Sequence, residues 1–211
     1  MLLAIAITLQ GPWYPESKRP ETDQQRADRI AVITEAIALE AAAQENWQWG
    51  TDTLAAATLA TFFAESRFAL EVHNGQGKTR HGEDQGRAKC LGQLHATGYV
   101  PRSEWKTLAG TDLESTRRCA RATMRVLAGQ AKRCKMGKEL SVWSVARLFA
   151  MYQSGKSCNV TKSSMMRARH WGRIMRDFAK QTEVPQQSVP TPQLAPTPLA
   201  DPASPTTARL D

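Results

Sequence analysis

Glu65 closes a run that is otherwise apolar: Asp52-Thr-Leu-Ala-Ala-Ala-Thr-Leu-Ala-Thr-Phe-Phe-Ala-Glu65-Ser66-Arg67-Phe68. Leu54, Leu59, Phe62 and Phe63, with alanines between them, leave almost no polar face, so the spacing predicts a helix buried on most sides. A carboxylate at the end of such a helix loses hydration, which disfavours its charged form. A carboxylic acid that keeps its proton near neutral pH can protonate a poor leaving group such as a glycosidic oxygen. The plainer reading has Glu65 solvated just past the buried turn, or paired with Arg67. Further along lie Leu91-Gly92-Gln93, then His95, then Met151-Tyr152-Gln153-Ser154-Gly155. A tyrosine hydroxyl from a neighbouring helix can orient a buried acid without adding charge.

Other titratable groups offer less. Val72 to Gly86 reads as a polar, Gly-rich loop, too long for an ordinary connection. His73 and His81 within it have no partner at metal-ligand spacing and read as exposed loop histidines, so no metal and no cofactor are expected. Glu83 and Asp84 read as a solvated acidic pair among Arg80, Arg87 and Lys89. His95, next to Gln93, is the better cleft candidate. The four cysteines, Cys90, Cys119, Cys134 and Cys158, form no C-x-x-C and no zinc pattern. Two disulfides, which imply an oxidising compartment, are the reading set against four buried thiols.

The elements that must position these groups are helical. Thr22 or Asp23 caps a helix with Ile30, Ile33 and Ile37 on one face, running toward Trp47, and Gly50 breaks it. Asp52 is expected to cap the helix ending at Glu65. Thr111 and Glu114 form a capping-box pattern opening a helix that stops at Gly129. Ser141 starts another, ending at Gly155, and a last one from about 163 to 179 carries Trp171, Ile174, Met175 and Phe178 on one face. The fold class is therefore all-α, mainly helical and bundle-like, with room for one small β-hairpin.

The chain has 211 residues and a net charge of +8. We divide it into an N-terminal segment (1–21), a folded domain (22–180) and a tail (181–211). Met1 to Leu9 are apolar but too short to span a bilayer, and lack the basic start of an export signal; they read as a degenerate signal or a strand packed on the domain. The tail carries Pro185, Pro190, Pro192, Pro196, Pro198, Pro202 and Pro205 among Ser, Thr, Ala and Gln, a composition that cannot bury enough surface to fold. It is slightly acidic, so the positive charge belongs to the domain. A basic domain suits nucleic acid, an anionic membrane or an anionic wall polymer. Arg117, Arg118, Arg121, Arg125, Lys132, Arg133 and Lys135 recur at helical spacing as a solvated face, with no nucleic-acid motif beside them.

Glu65-Ser66-Arg67-Phe68, Leu91-Gly92-Gln93 and Met151-Tyr152-Gln153-Ser154-Gly155, in that order, resemble the soluble lytic transglycosylase family, which shares its fold with goose-type lysozymes. That family shows Glu-Ser-x-Phe at a helix end, Gly-Leu-Met-Gln, and Ala-Tyr-Asn-Ala-Gly at a later helix end; the likeness covers about Leu54 to Gly155. It implies a lysozyme-like fold and peptidoglycan as partner, with no nucleic acid, no stable membrane insertion and an extracytoplasmic location. It also implies Glu65 as sole catalytic acid, Tyr152 as the hydroxyl orienting it, Ser66 and Gln93 as substrate-placing groups, and His95 and Gln153 as further cleft residues. Departures are Cys90 where glycine is usual, Gln153 and Ser154 for Asn and Ala, and a longer spacing from Glu65 to Gln93. The activity implied is cleavage of the MurNAc-GlcNAc bond with 1,6-anhydro ends. The alternatives are a hydrolytic muramidase, which needs a second carboxylate, and a non-catalytic wall-binding or virion component. Three disulfide pairings are open; Cys90–Cys119 with Cys134–Cys158, which would brace the cleft, is our guess among them.

Overall fold

The computed structural model describes residue 6 and residues 21–44, 47–75 and 87–182. The readings made for Met1 to Leu9, Arg80, His81, Glu83, Asp84 and the Pro-rich tail beyond Thr182 lie outside the described residues. The described chain is all-α: α1 (Asp23–Ala42), α2 (Thr51–Ser66), the short α3 (Leu70–His73) and α4 (Arg102–Trp105), α5 (Leu113–Arg133), α6 (Val142–Ser154) and α7 (Lys162–Thr182). The expected hairpin is present in its smallest form, an antiparallel bridge between Lys89 and Leu94.

The central element is α2, which packs against α1, α5 and α7, while α1 also lies on α5 and α7 on α6. Leu54, Leu59 and Phe62 are fully buried, and so are Thr58 and Thr61. Those two threonines are tolerated because their hydroxyls donate to the carbonyls of Leu54 and Ala57, each at 2.8 Å, so neither hydroxyl is left unsatisfied. On α7, Trp171, Ile174 and Phe178 face inward, as their spacing requires.

Helix ends follow local chemistry, with some displacements from the sequence reading. Thr22 caps α1 through a capping box with Gln25, and Ser141 caps α6, which Gly155 ends at φ +64°. Asp52 does not cap α2: Gly50 does, at φ +83°, where a side chain would be strained, and Asp52 sits in the first turn. Asp112 rather than Thr111 caps α5, its carboxylate accepting from Ser115 N at 2.8 Å. Nor does α5 stop at Gly129. It continues to Arg133, and a Cβ at position 129 would lie 2.2 Å from the Tyr99 ring, so this glycine admits an aromatic ring against the helix backbone.

The basic row is a solvated face only in part: Arg125, Lys132, Arg133 and Lys135 are exposed, while Arg117, Arg118 and Arg121 are half-buried. Arg117 and Arg121 converge on Glu40 of α1, a carboxylate only 1% exposed, with N–H donors at 2.8 and 2.7 Å. Burial alone would raise the Glu40 pKa, but the hydrogen bonds and charges of Arg121 and Arg117 outweigh it and hold the group below its ordinary value. Arg118 pairs with Glu114 and Arg125 with Glu104. Among the described residues no helix is long and apolar enough to cross a membrane.

His73 departs furthest from expectation. It ends the short α3 and is fully buried. Thr116 Oγ1 gives its proton to the Asp112 carbonyl at 2.7 Å, so the contact from His73 Nε2 at 2.9 Å makes that nitrogen the donor. Burial, aided by the Arg29 charge and opposed by Asp112, pushes its pKa down from 6.5 to about 3. A histidine held neutral in the fold favours folding above its unfolded pKa, and that contribution is lost as pH falls from 6.5 toward 3. Urea unfolding should therefore show a loss of about 2 kcal/mol between pH 7 and pH 5, absent in His73→Gln. An equal loss in both proteins would contradict this.

Candidate active site

α2 ends abruptly at the carboxylate. Arg67, its C-cap, and Phe68 both take left-handed conformations, at φ +53° and +55°. The turn they make drives Phe68 into the core, where it is 1% exposed, and the Arg67 guanidinium folds back over the Phe63 ring at 4.2 Å from its centre. Ser66, named above as substrate-placing, is buried, and its hydroxyl is engaged by the turn itself. It donates to Phe62 O at 2.6 Å and accepts from Phe68 N at 3.1 Å.

Glu65 is paired with Arg167 of α7, whose Nη1 donates to Oε1, with side-chain exposures of 13% for Arg167 and 18% for Glu65. The helix pattern offers only solvent or the neighbouring Arg67, and the fold supplies a partner from 102 residues on. Arg167 is itself held from behind. With the Gln153 amide turned so that its oxygen faces donors, that oxygen accepts from Arg167 Nε at 3.0 Å, Arg167 Nη2 at 2.8 Å and Ser163 Oγ at 2.8 Å. Gln153 thus touches Glu65 only through the guanidinium.

Tyr152 stands beside it, at the end of α6. Its hydroxyl donates to Gly92 O at 2.6 Å, rather than to Glu65. Burial first, and then the negative charge of Glu65, push the phenol well above its ordinary pKa, with the Thr123 hydroxyl and Arg167 pulling the other way. The phenol therefore remains protonated at any physiological pH and lies within electrostatic reach of the carboxylate.

Gly92 belongs to the turn between Lys89 and Leu94, whose backbones exchange two hydrogen bonds of 2.9 Å. Within it Cys90 and Gln93 have φ +55° and +49°. Cys90 stands in a backbone region that glycine enters most easily, and its bond to Cys119 of α5 ties the turn to that helix. The other disulfide joins Cys134, at the end of α5, to Cys158 in the α6–α7 connection, so the pairing is the one guessed from the sequence. Gln93 is half-buried, its Nε2 donating to Cys90 O at 3.2 Å. His95 is exposed just beyond the bridge.

Three segments far apart in sequence are thereby joined: Glu65 to Gln153 through Arg167, and Tyr152 to Gly92 directly. A cavity of about 460 Å3 lined by Thr34, Glu35, Asp52, Ala55 and Phe178 lies elsewhere. That cavity lies at the opposite end of α2, roughly 20 Å from Glu65 along the helix. No cluster of three or more His, Cys, Asp or Glu suited to a metal occurs among the described residues.

Sequence reasoning overlooked Arg167 and Thr123. Both carried a signal. Arg167 is one helical turn before Trp171 on the buried stripe of α7, and a charge on such a stripe calls for a buried partner. Thr123 lies on the inward stripe of α5 between Cys119 and Leu127. Compared with family models, curated proteins and solved structures, the chain finds no match.

The contact at Gly92 gives a direct test. A Cβ there would meet Thr123 Oγ1 at 2.4 Å and Tyr152 Oη at 3.2 Å. Gly92→Ala should destabilise the protein by about 1–3 kcal/mol in chemical denaturation, because neither neighbour can retreat in a packed interior. Gly98→Ala, with open space around the added methyl, should change stability far less, and equal effects would refute the packing argument.

Proposed function

We propose that the protein is a peptidoglycan lytic transglycosylase, acting outside the cytoplasm, with Glu65 as its single acid and base. The observation that carries this reading is that Glu65, at the end of a buried helix, is joined through Arg167 to Gln153, while the adjacent Tyr152 bonds Gly92 of the third segment. The two disulfides accord with an oxidising compartment.

In this mechanism protonated Glu65 gives its proton to the oxygen linking MurNAc C1 to GlcNAc, and the C1–O bond breaks. The N-acetyl oxygen of the same muramic residue bonds to C1 and takes up the positive charge that develops there, the role a second carboxylate fills in other glycosidases. Glu65, now ionised, removes the proton of the C6 hydroxyl. The C6 oxygen attacks C1, the N-acetyl oxygen leaves, and a 1,6-anhydro ring closes with Glu65 reprotonated. No water enters. The Arg167 ion pair corresponds to the ionised, base half of this cycle; in the acid half the proton sits on the Glu65 oxygen that does not face Arg167 Nη1. Tyr152, protonated and joined to Gly92, holds the turn between Lys89 and Leu94 in place.

Digestion of purified peptidoglycan, with the products weighed by mass spectrometry, tests the reading. Wild-type protein should release muropeptides with anhydro ends, and Glu65→Gln should lower the rate by about 1,000-fold or more, as expected when the only proton donor is lost. Reducing ends would point to a hydrolase, and absence of any product from wild type would refute enzymatic wall cleavage.

A further inference from the structure

Arg167 meets Glu65 with one guanidinium nitrogen and Gln153 with the other two. A planar group gripped at opposite edges cannot rotate, so its position is set by α6 and the start of α7 rather than by the carboxylate it faces. Ser163, one turn before Arg167, donates to the same Gln153 oxygen. The connection between the two helices is anchored at Cys158, which is bonded to Cys134 at the end of α5. A rigid path therefore runs from α5 through the α6–α7 connection to the carboxylate. Both partners of the ion pair are largely buried, so water competes weakly for either.

We propose that Arg167 is a positioning residue for Glu65 and that Gln153 acts only through Arg167, the two forming one unit that fixes the carboxylate's orientation. This rests on the reading of Glu65 as the reacting group. Lysine cannot replace the arginine here, because a single ammonium lacks the fork that engages Gln153 and Glu65 at once. Gln153 thereby has a function apart from touching substrate.

Steady-state kinetics on soluble glycan strands, with a nuclear magnetic resonance readout on the arginine, test this together. Arg167→Lys and Gln153→Ala should each lower kcat, the first by roughly 10–100-fold, with KM changed by less than about threefold, since orientation rather than binding is lost. The double variant should be no slower than Arg167→Lys alone. Independently of activity, the Arg167 Nε–H resonance should be slow to exchange with solvent in wild type and fast in Gln153→Ala. Losses that multiply in the double variant, a change confined to KM, or an Nε–H equally protected without Gln153 would each overturn the proposal. Should wild type release no muropeptides, the functional reading fails and the Nε–H exchange alone decides whether the clamp exists. Should wild type cleave normally while the exchange and the double variant go the wrong way, only the clamp fails.

Discussion

The structure depends on burying α2 on three sides. Each of Leu54, Leu59, Phe62 and Phe63 contributes about 1.5–3 kcal/mol by leaving water, and the helix has no polar face to offer solvent in exchange. Thr58 and Thr61 are satisfied within the helix, so the buried middle of α2 needs no polar partner from its neighbours. Polar chemistry is confined to its ends. At the far end stands Glu65, followed by the double left-handed turn at Arg67 and Phe68. Residues held in that region cost of order 1–3 kcal/mol each, a strain the buried Phe68 ring offsets.

Close packing also places the turn at Cys90 to Gln93. It lies against Tyr152 and Thr123 because Gly92 has no side chain, and the Tyr152 hydroxyl and Thr123 occupy the space a methyl would take. Breaking a buried ion pair by removing one partner costs about 3–5 kcal/mol, so Arg167 and Glu65 stabilise the fold only as a pair. The same interaction that secures α7 to α2 would, in the proposed mechanism, also aim the reacting group.

Much of this was legible in the residues. The apolar run before Glu65, the caps at Thr22 and Ser141, the glycine stop at Gly155 and the inward stripe of α7 all obey local rules that operate over a few residues. What escaped reading is what depends on distant partners. A glycine inside a helix pattern signals a stop or a close approach, and only the position of Tyr99 decides that Gly129 is the latter. A row of arginines at helical spacing is a solvated face unless a buried acid such as Glu40 lies opposite. His73 looked like a loop residue because its hydrogen-bond partner, Thr116, is on another helix. Arg167 followed the same rule: its position on a buried stripe was visible, its partner was not.

In the proposed mechanism Glu65 works alone, giving and retaking one proton while the sugar's own C6 hydroxyl replaces water. Cleavage of glycan strands in water enriched in oxygen-18 tests this directly. The newly formed muramic ends should carry none of the label. One oxygen-18 atom per bond cleaved would contradict it, showing that water attacks and that a second group must activate it.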